Sequence, residues 1–494
     1  MPKRSTARTV IIPPPVLGLN TTDPISEMDP RYAVLAVNCF SNGATVDSVA
    51  GGSFYSESDP LLNDEVTCLG ELALQSGVRK VIGVAVDGAN DTVWDFSAAT
   101  AVDISGGVNV GSQCNFVNFR NKIFMRSTDV TRDVYYWDGA AASITAAGFT
   151  GPSSDDKALT NVSVYKNRLY FTGNDGSVWY GGIDAITGAL TQFDVSSVLK
   201  LGGKLLYAGG VQKAGQLNQN LFAFISDRGE VLLYDGAYPG ASEWQQVGQY
   251  FMPPPAGFRS FFNWGANLVV VTIQGLVLLS EVLSGDGSNL TFLSEKINNL
   301  FVELIDTSYA DLVHGVFHPQ GNLVLVHFRP VGSSSRIGLA MNTITGSWWK
   351  WEGVGNCVAT WDGNLVAGGA DTVTFAKLLQ AASTSPPTMA VQTAFNYFGD
   401  RSLTKNFVEA QPIMYQSHGM QLAMEAVVDF GAVPTLQTVT PDNSDNTYKV
   451  YSPKVGLKGI GNCASMYIRS SGSVTVAKRF SLQAIKVLFL EGDI

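Results

Sequence analysis

A short apolar motif returns seven times along this chain. An Asn, in places followed by Lys or Arg, leads into an apolar run: Asn121-Lys122-Ile123-Phe124, Asn167-Arg168-Leu169-Tyr170-Phe171, Asn220-Leu221-Phe222, Asn267-Leu268-Val269, Asn322-Leu323-Val324 and Asn364-Leu365-Val366. A weaker copy begins at Val81-Ile82. The anchors Val81, Ile123, Leu169, Leu221, Leu268, Leu323 and Leu365 stand 42 to 55 residues apart. A period of about 40–50 residues is that of β-propeller blades.

Each anchor opens a hairpin. The run at Leu169 is followed by Asn174-Asp175-Gly176 and then Val178-Trp179-Tyr180, and the run at Leu221 by Asp227-Arg228-Gly229 and then Val231. Leu268 leads to a turn at Gln274-Gly275, and Leu365 to one at Gly368-Gly369. Glycine supplies the positive φ such turns need. Many of the strands are unbroken apolar runs, as in Leu221-Phe222-Ala223-Phe224-Ile225. That pattern marks a strand buried on both faces, which a blade packed between two others requires. A β-helix would repeat at a shorter period, and an open sandwich would not repeat so often.

The expectation is an all-β chain: a β-propeller of six or seven blades over 61–380, an extended N-terminal arm over 1–60 and a smaller C-terminal β domain over 381–494. The arm carries Pro13-Pro14-Pro15, Asp23-Pro24, Asp29-Pro30 and Asp59-Pro60 and reads as a segment laid over other surfaces. A linker is expected at Ala381-Ala382-Ser383-Thr384-Ser385-Pro386-Pro387. Strand-like runs follow at Tyr467 to Arg469, Val474 to Val476 and Ala484 to Leu490.

Composition agrees with short strands and tight turns. Charged residues make up 15% of the 494 and Gly accounts for 51, against about 25% charged in an average soluble domain. The formal charge of -10 gives no basic footprint for gripping nucleic acid. Five cysteines with no CxxC pair argue against a disulfide framework or a zinc site and for free core thiols in a reducing compartment. The longest apolar stretch, Asn267 to Leu279, is too short to span a bilayer. Pro13-Pro14-Pro15 interrupts the N-terminal apolar run before it forms a signal core. The chain reads as soluble.

Five clusters invite a chemical reading. His314 and His318 are spaced for a metal on a helix, but Val313-His314-Gly315-Val316-Phe317-His318-Pro319 reads as strand and turn, which sets the rings about 13 Å apart. Thr172-Gly173-Asn174-Asp175-Gly176-Ser177-Val178-Trp179 resembles the Asp-box of sialidase-type propellers, itself a structural turn. Asp442-Asn443-Ser444-Asp445-Asn446 could offer oxygens to calcium but lacks the Gly and closing Glu of an EF-hand. Ser284-Gly285-Asp286-Gly287-Ser288 reads as a turn. Trp348-Trp349-Lys350-Trp351 suits either a carbohydrate-stacking platform or a wedge between blades, and packing is the expectation. No catalytic, cofactor-binding or metal residue is assigned, and the chain is expected not to be an enzyme. The alternative is a glycan-binding or glycan-hydrolysing, sialidase-like propeller.

Three stretches carry a resemblance. Gly18-Leu19-Asn20-Thr21-Thr22-Asp23-Pro24-Ile25-Ser26-Glu27-Met28-Asp29-Pro30 leads into Ala33-Val34-Leu35-Ala36-Val37-Asn38-Cys39-Phe40 and Gly51-Gly52-Ser53-Phe54. An Asn342-Thr343-Ile344-Thr345-Gly346 turn leads to the paired Trp, and Phe480-Ser481-Leu482-Gln483-Ala484-Ile485-Lys486-Val487 comes near the end. Together they resemble the tail nozzle, or packaged-DNA stabilisation, proteins of short-tailed bacteriophages. One departure is Thr45-Val46-Asp47-Ser48 where that family commonly has basic residues. The resemblance implies a homohexameric ring in the virion tail, assembled in the host bacterial cytoplasm. It implies contacts with the portal and adaptor ring and with tail fibre, spike or needle proteins. The lumen would retain packaged double-stranded DNA and pass it without sequence preference on ejection. No cofactor and no membrane are implied. An acidic wall suits that role, because it repels phosphate.

Overall fold

The structure, a computed structural model, describes residues 6–49, 53–57, 65–87, 90–151, 158–173, 176–212, 220–284, 290–369, 372–375, 388–416, 421–439, 449–471 and 480–491. Strands dominate it, and the helices are short pieces such as Leu279–Ser284 and Asn298–Leu304.

Seven antiparallel modules follow one another around a ring. Their first strands are Val66–Ala73, Cys114–Phe119, Leu159–Tyr165, Leu205–Gln212, Phe261–Trp264, His314–His318 and Cys357–Trp361. Five modules are separate four-stranded sheets. The fifth module in chain order has three strands, and the helix Leu279–Ser284 follows where a fourth strand would run. The sixth is the four-stranded part of a ten-stranded sheet. Free-standing four-stranded blades therefore number five, and the two irregular modules bring the ring to seven. Neighbouring modules touch in chain order, and the seventh touches the first.

All seven sequence anchors lie on the second strand of a module, and all are buried. Burial follows from the wedge shape. Phe222 and Phe224 pack toward Tyr165 and Tyr170 of the preceding blade, whereas Leu221, Ala223 and Ile225 pack toward Leu268 and Val270 of the next. An unbroken apolar strand thus serves two interfaces at once, each buried large side chain contributing roughly 1.5–3 kcal/mol.

The N-terminal segment is extended, as expected, but it is not laid over the outside. It is six strands spread through three sheets: β1 (Thr6–Ile12), β2 (Gly18–Leu19), β3 (Tyr32–Val37), β4 (Cys39–Ser41), β5 (Val46–Ser48) and β6 (Ser53–Glu57). β6 pairs antiparallel with Thr372–Phe375 and completes the seventh blade. The ring is therefore closed by a strand from before the first blade, and the propeller includes part of the expected arm. The prolines hid this, because each blocks one backbone donor but leaves the short strands between them free to pair.

The C-terminal strands, from Ala390 on, build one further sheet with the same segment and extend a second, that of the sixth blade. Lys405–Gln416 and Phe480–Glu491 pair along their whole length, and β1 and β5 lie along the other edge of Phe480–Glu491. Facing them, β2 and β3 extend the sixth blade into Ala390–Thr393, Ala464–Ser471 and Gln421–Val428. One apolar core runs without a break from Leu325 of the propeller through Trp349 to Met424, Ile468 and Phe489. The expected linker at 381–387 and the run at 474–476 lie outside the described residues.

Candidate functional site

Two places concentrate buried polar chemistry: the seam between propeller and C-terminal sheets, and the hub of the ring.

At the seam, Gly18 of β2 pairs in parallel with Trp348, and Val37 of β3 with Lys350. Asn38, 2% exposed and in the left-handed region at φ 52°, joins three segments. Its backbone N–H donates to the Lys350 carbonyl at 2.8 Å. Its Oδ1 accepts from the Glu352 N–H at 2.8 Å, and its Nδ2 donates to the Thr388 carbonyl at 2.9 Å. Asn342 Nδ2 donates to the Ser41 carbonyl at 2.9 Å, and the Phe480 N–H donates to Ser48 Oγ at 3.1 Å. The loop after β2 grips the segment before the sixth blade, with Asn299 Nδ2 donating to the Thr21 carbonyl and Lys296 Nζ 3.0 Å from Asp23. Asn20 and Lys296 hold the Asp23 carboxyl below its usual range. Asp47 takes Thr45 Oγ1 and Asn42 Nδ2 within its own turn.

Trp348, Trp349 and Trp351 are all buried. Trp348 Nε1 donates to the Leu293 carbonyl, and the Trp349 ring lies 5.9 Å from that of Phe40. They pack, as expected, but in the seam to the C-terminal sheets rather than only between blades. None offers a face for stacking a sugar. The seam holds a void of only about 10 Å³, the lower limit of what a water needs.

At the hub, a cavity of about 240 Å³ is lined by residues of the first strands, among them Glu71, Asn115, His314 and Thr360, and by Arg259. Pro253-Pro254-Pro255 leads Phe258 and Arg259, both buried, into this centre. The Phe258 carbonyl accepts from Asn115 and Asn161, which belong to the second and third blades. The connection into the fifth blade therefore crosses the hub.

His314 and His318 stand on one strand, as the sequence indicated. His314 Nδ1–H donates to the Leu312 carbonyl at 3.0 Å, and its Nε2 accepts from the Val358 N–H at 3.2 Å. Neither nitrogen is presented to an ion. Burial above all, then the Arg259 charge, keeps His314 neutral far below the usual range. His327 is likewise pushed down to about 3, first by burial and then by Arg336. Burial raises the Cys357 thiol to about 12. The Glu71 carboxylate is taken by Arg79 and by the Asp362 N–H. These groups form no nucleophile–base pair. Thr172 and Ser177 lie on paired strands of one hairpin, while Asn174 and Asp175 of that turn lie outside the described residues. So do 442–446 and, of the candidate turn 284–288, all but Ser284, which ends the helix Leu279–Ser284.

Arg259 and Arg126, both buried, and Arg336, whose side chain is mostly buried, were not singled out from the sequence. The one available signal was an Arg set between a triple proline and an apolar strand.

No model of a known protein family matches the chain, and no curated protein matches it. Among solved structures it is similar to the WD40 β-propeller domain of Doa1, at 11% identity and a TM-score of 0.39, covering 66% of this chain and 96% of that one. It is similar to the computationally designed Ika8 protein at 13% identity and a TM-score of 0.36, covering 66% and 100%. It is also similar to Chaetomium thermophilum Raptor at 11% identity and a TM-score of 0.43, covering 67% of this chain and 30% of Raptor. The chain is a β-propeller protein by its own strand order and ring closure.

Proposed function

We propose that the chain is a structural subunit of a short-tailed bacteriophage virion. Six copies form the tail nozzle ring that retains packaged DNA and conducts it on ejection. One observation carries the reading. The three stretches that resemble that family, 18–40, 342–351 and 480–487, are far apart in sequence and meet in space at the seam. β2 and β3 pair with Trp348–Glu352, and Phe480, Leu482 and Ile485 share one core with Leu19, Phe40 and Trp349. The strand that pairs with Phe480–Glu491 beside them is β5, at the position where the sequence departs from that family. The motifs thus specify one joint, which locks a propeller to a sheet domain through a continuous core. A subunit under pressure from a packed genome needs such stiffness.

DNA would pass through the lumen between copies, because the hub of each propeller is crossed by Phe258 and Arg259. The non-catalytic part of the reading is supported by the occupied nitrogens of His314 and the occupied carboxylate of Glu71. The buried tryptophans remove the main support for a glycan platform. Cryo-electron microscopy of the purified chain tests the proposal: a closed six-fold ring supports it, and binding or cleavage of sialylated glycans by a monomer would replace it.

A further inference from the structure

Arg259 is a cation without a carboxylate. It is 7% exposed, and among the described residues its one hydrogen bond runs from Nη1 to Gln113 Oε1. The other two buried arginines of this region are provided for. Arg126 donates to the Leu159 and Arg132 carbonyls, and Arg336 pairs with Glu65 at 2.7 Å. A guanidinium has five donors in a rigid fork, so most of those on Arg259 have no acceptor among the described residues. Burying a charge in that state is costly unless an opposite charge joins it.

Arg259 lines the 240 Å³ hub cavity. Its charge also acts on its surroundings: together with burial it holds His314 neutral. At Cys68, burial raises the thiol, but the Cys114 thiol and Arg259 outweigh it and hold it below its ordinary range. The centre of the ring thus holds a buried positive charge, although the chain carries a formal charge of -10. Asn115 spends its Nδ2 on Asn161 and Phe258, and Leu69, Phe116 and Val316 supply apolar walls. Glu71, the one carboxylate on the wall among the described residues, is already taken by Arg79.

We propose that the hub cavity is a binding site for a small oxyanion, a carboxylate or a phosphate, held by the free side of the Arg259 fork. Such a fork takes two oxygens of one group in parallel, a geometry that Lys cannot reproduce. Bound there, the anion would neutralise the hub and brace the fifth blade against the second.

Calorimetric titration of the full chain with sodium phosphate and with sodium acetate, at ionic strength held constant with chloride, tests this. The wild-type chain should give a saturable one-to-one isotherm with at least one of the two ions, and the ion that binds identifies the chemistry. Arg259→Met should abolish it, and Arg259→Lys should weaken it at least tenfold. If Arg259→Met does not fold, the comparison of wild type with Arg259→Lys decides. No saturable heat with either ion, or equal binding by wild type and Arg259→Lys, would overturn the site.

Discussion

Gly18 lies flat against Trp348: a Cβ at Gly18 would stand 2.6 Å from the Trp348 nitrogen and 2.7 Å from its carbonyl oxygen. Gly18 also holds φ +79°, a conformation that other residues adopt only with strain. The two strands can share this close approach only because one position has no side chain. Gly18→Ala should therefore destabilise the chain by about 2–4 kcal/mol, since strain and a backbone clash add. Urea denaturation followed by tryptophan fluorescence measures it, and a loss below about 0.5 kcal/mol would mean the seam yields easily.

Trp349 packs on Phe40 across the same joint. Trp349→Ala should cost about 3–5 kcal/mol. Its indole N–H has no partner among the described residues, so Trp349→Phe should cost distinctly less. Denaturation of both variants checks the order; equal costs would show that the ring volume is not what the seam uses.

The N-terminal strands make a graded prediction. β1 is mostly exposed, with Ile12 its buried end. Deletion of residues 1–11 should leave a folded chain. Deletion of residues 1–57 removes the closing strand of the seventh blade and both bridging strands of the seam. That chain should unfold without cooperativity and be cut rapidly by protease. A sharp unfolding transition for the longer deletion would contradict the closure described here.

Acid should weaken the fold before the carboxylates titrate. His314 and His327 pair across two strands with ring centroids 5.0 Å apart, and both are held neutral below their ordinary 6.5. The unfolded chain takes up these protons near pH 6.5, and the folded chain does so only at much lower pH, about 3 for His327. Their contribution is complete above pH 6.5 and is lost as pH falls from there, by up to about 1.4 kcal/mol per unit for each ring. His327→Gln should flatten the loss between pH 6.5 and 4.5. Identical slopes for variant and wild type would show that the ring protonates without unfolding. Below 3.8, carboxylates held low in the fold, such as Asp23, add their own loss in the same direction.

The propeller was legible because each blade's second strand is buried on both faces, which writes an unbroken apolar run at every repeat. The course of 1–60 was not legible. β2, β4 and β5 are two or three residues long, too short to leave a period, and β2 and β5 each have a partner hundreds of residues away, in Trp348–Glu352 and Phe480–Glu491. The seventh blade could not be seen as complete for the same reason. The tryptophans were readable as packing, because three large rings within four residues must cover something. Arg259 was not, because an isolated Arg looks the same in sequence whether it faces water or a hub.

Assembly into a ring is the property on which the tail-nozzle role depends most. Cryo-electron microscopy of the purified chain across a range of concentrations measures it directly. The prediction is a closed ring of six copies with a continuous lumen between them. A chain that stays monomeric at every concentration would contradict the tail-nozzle reading.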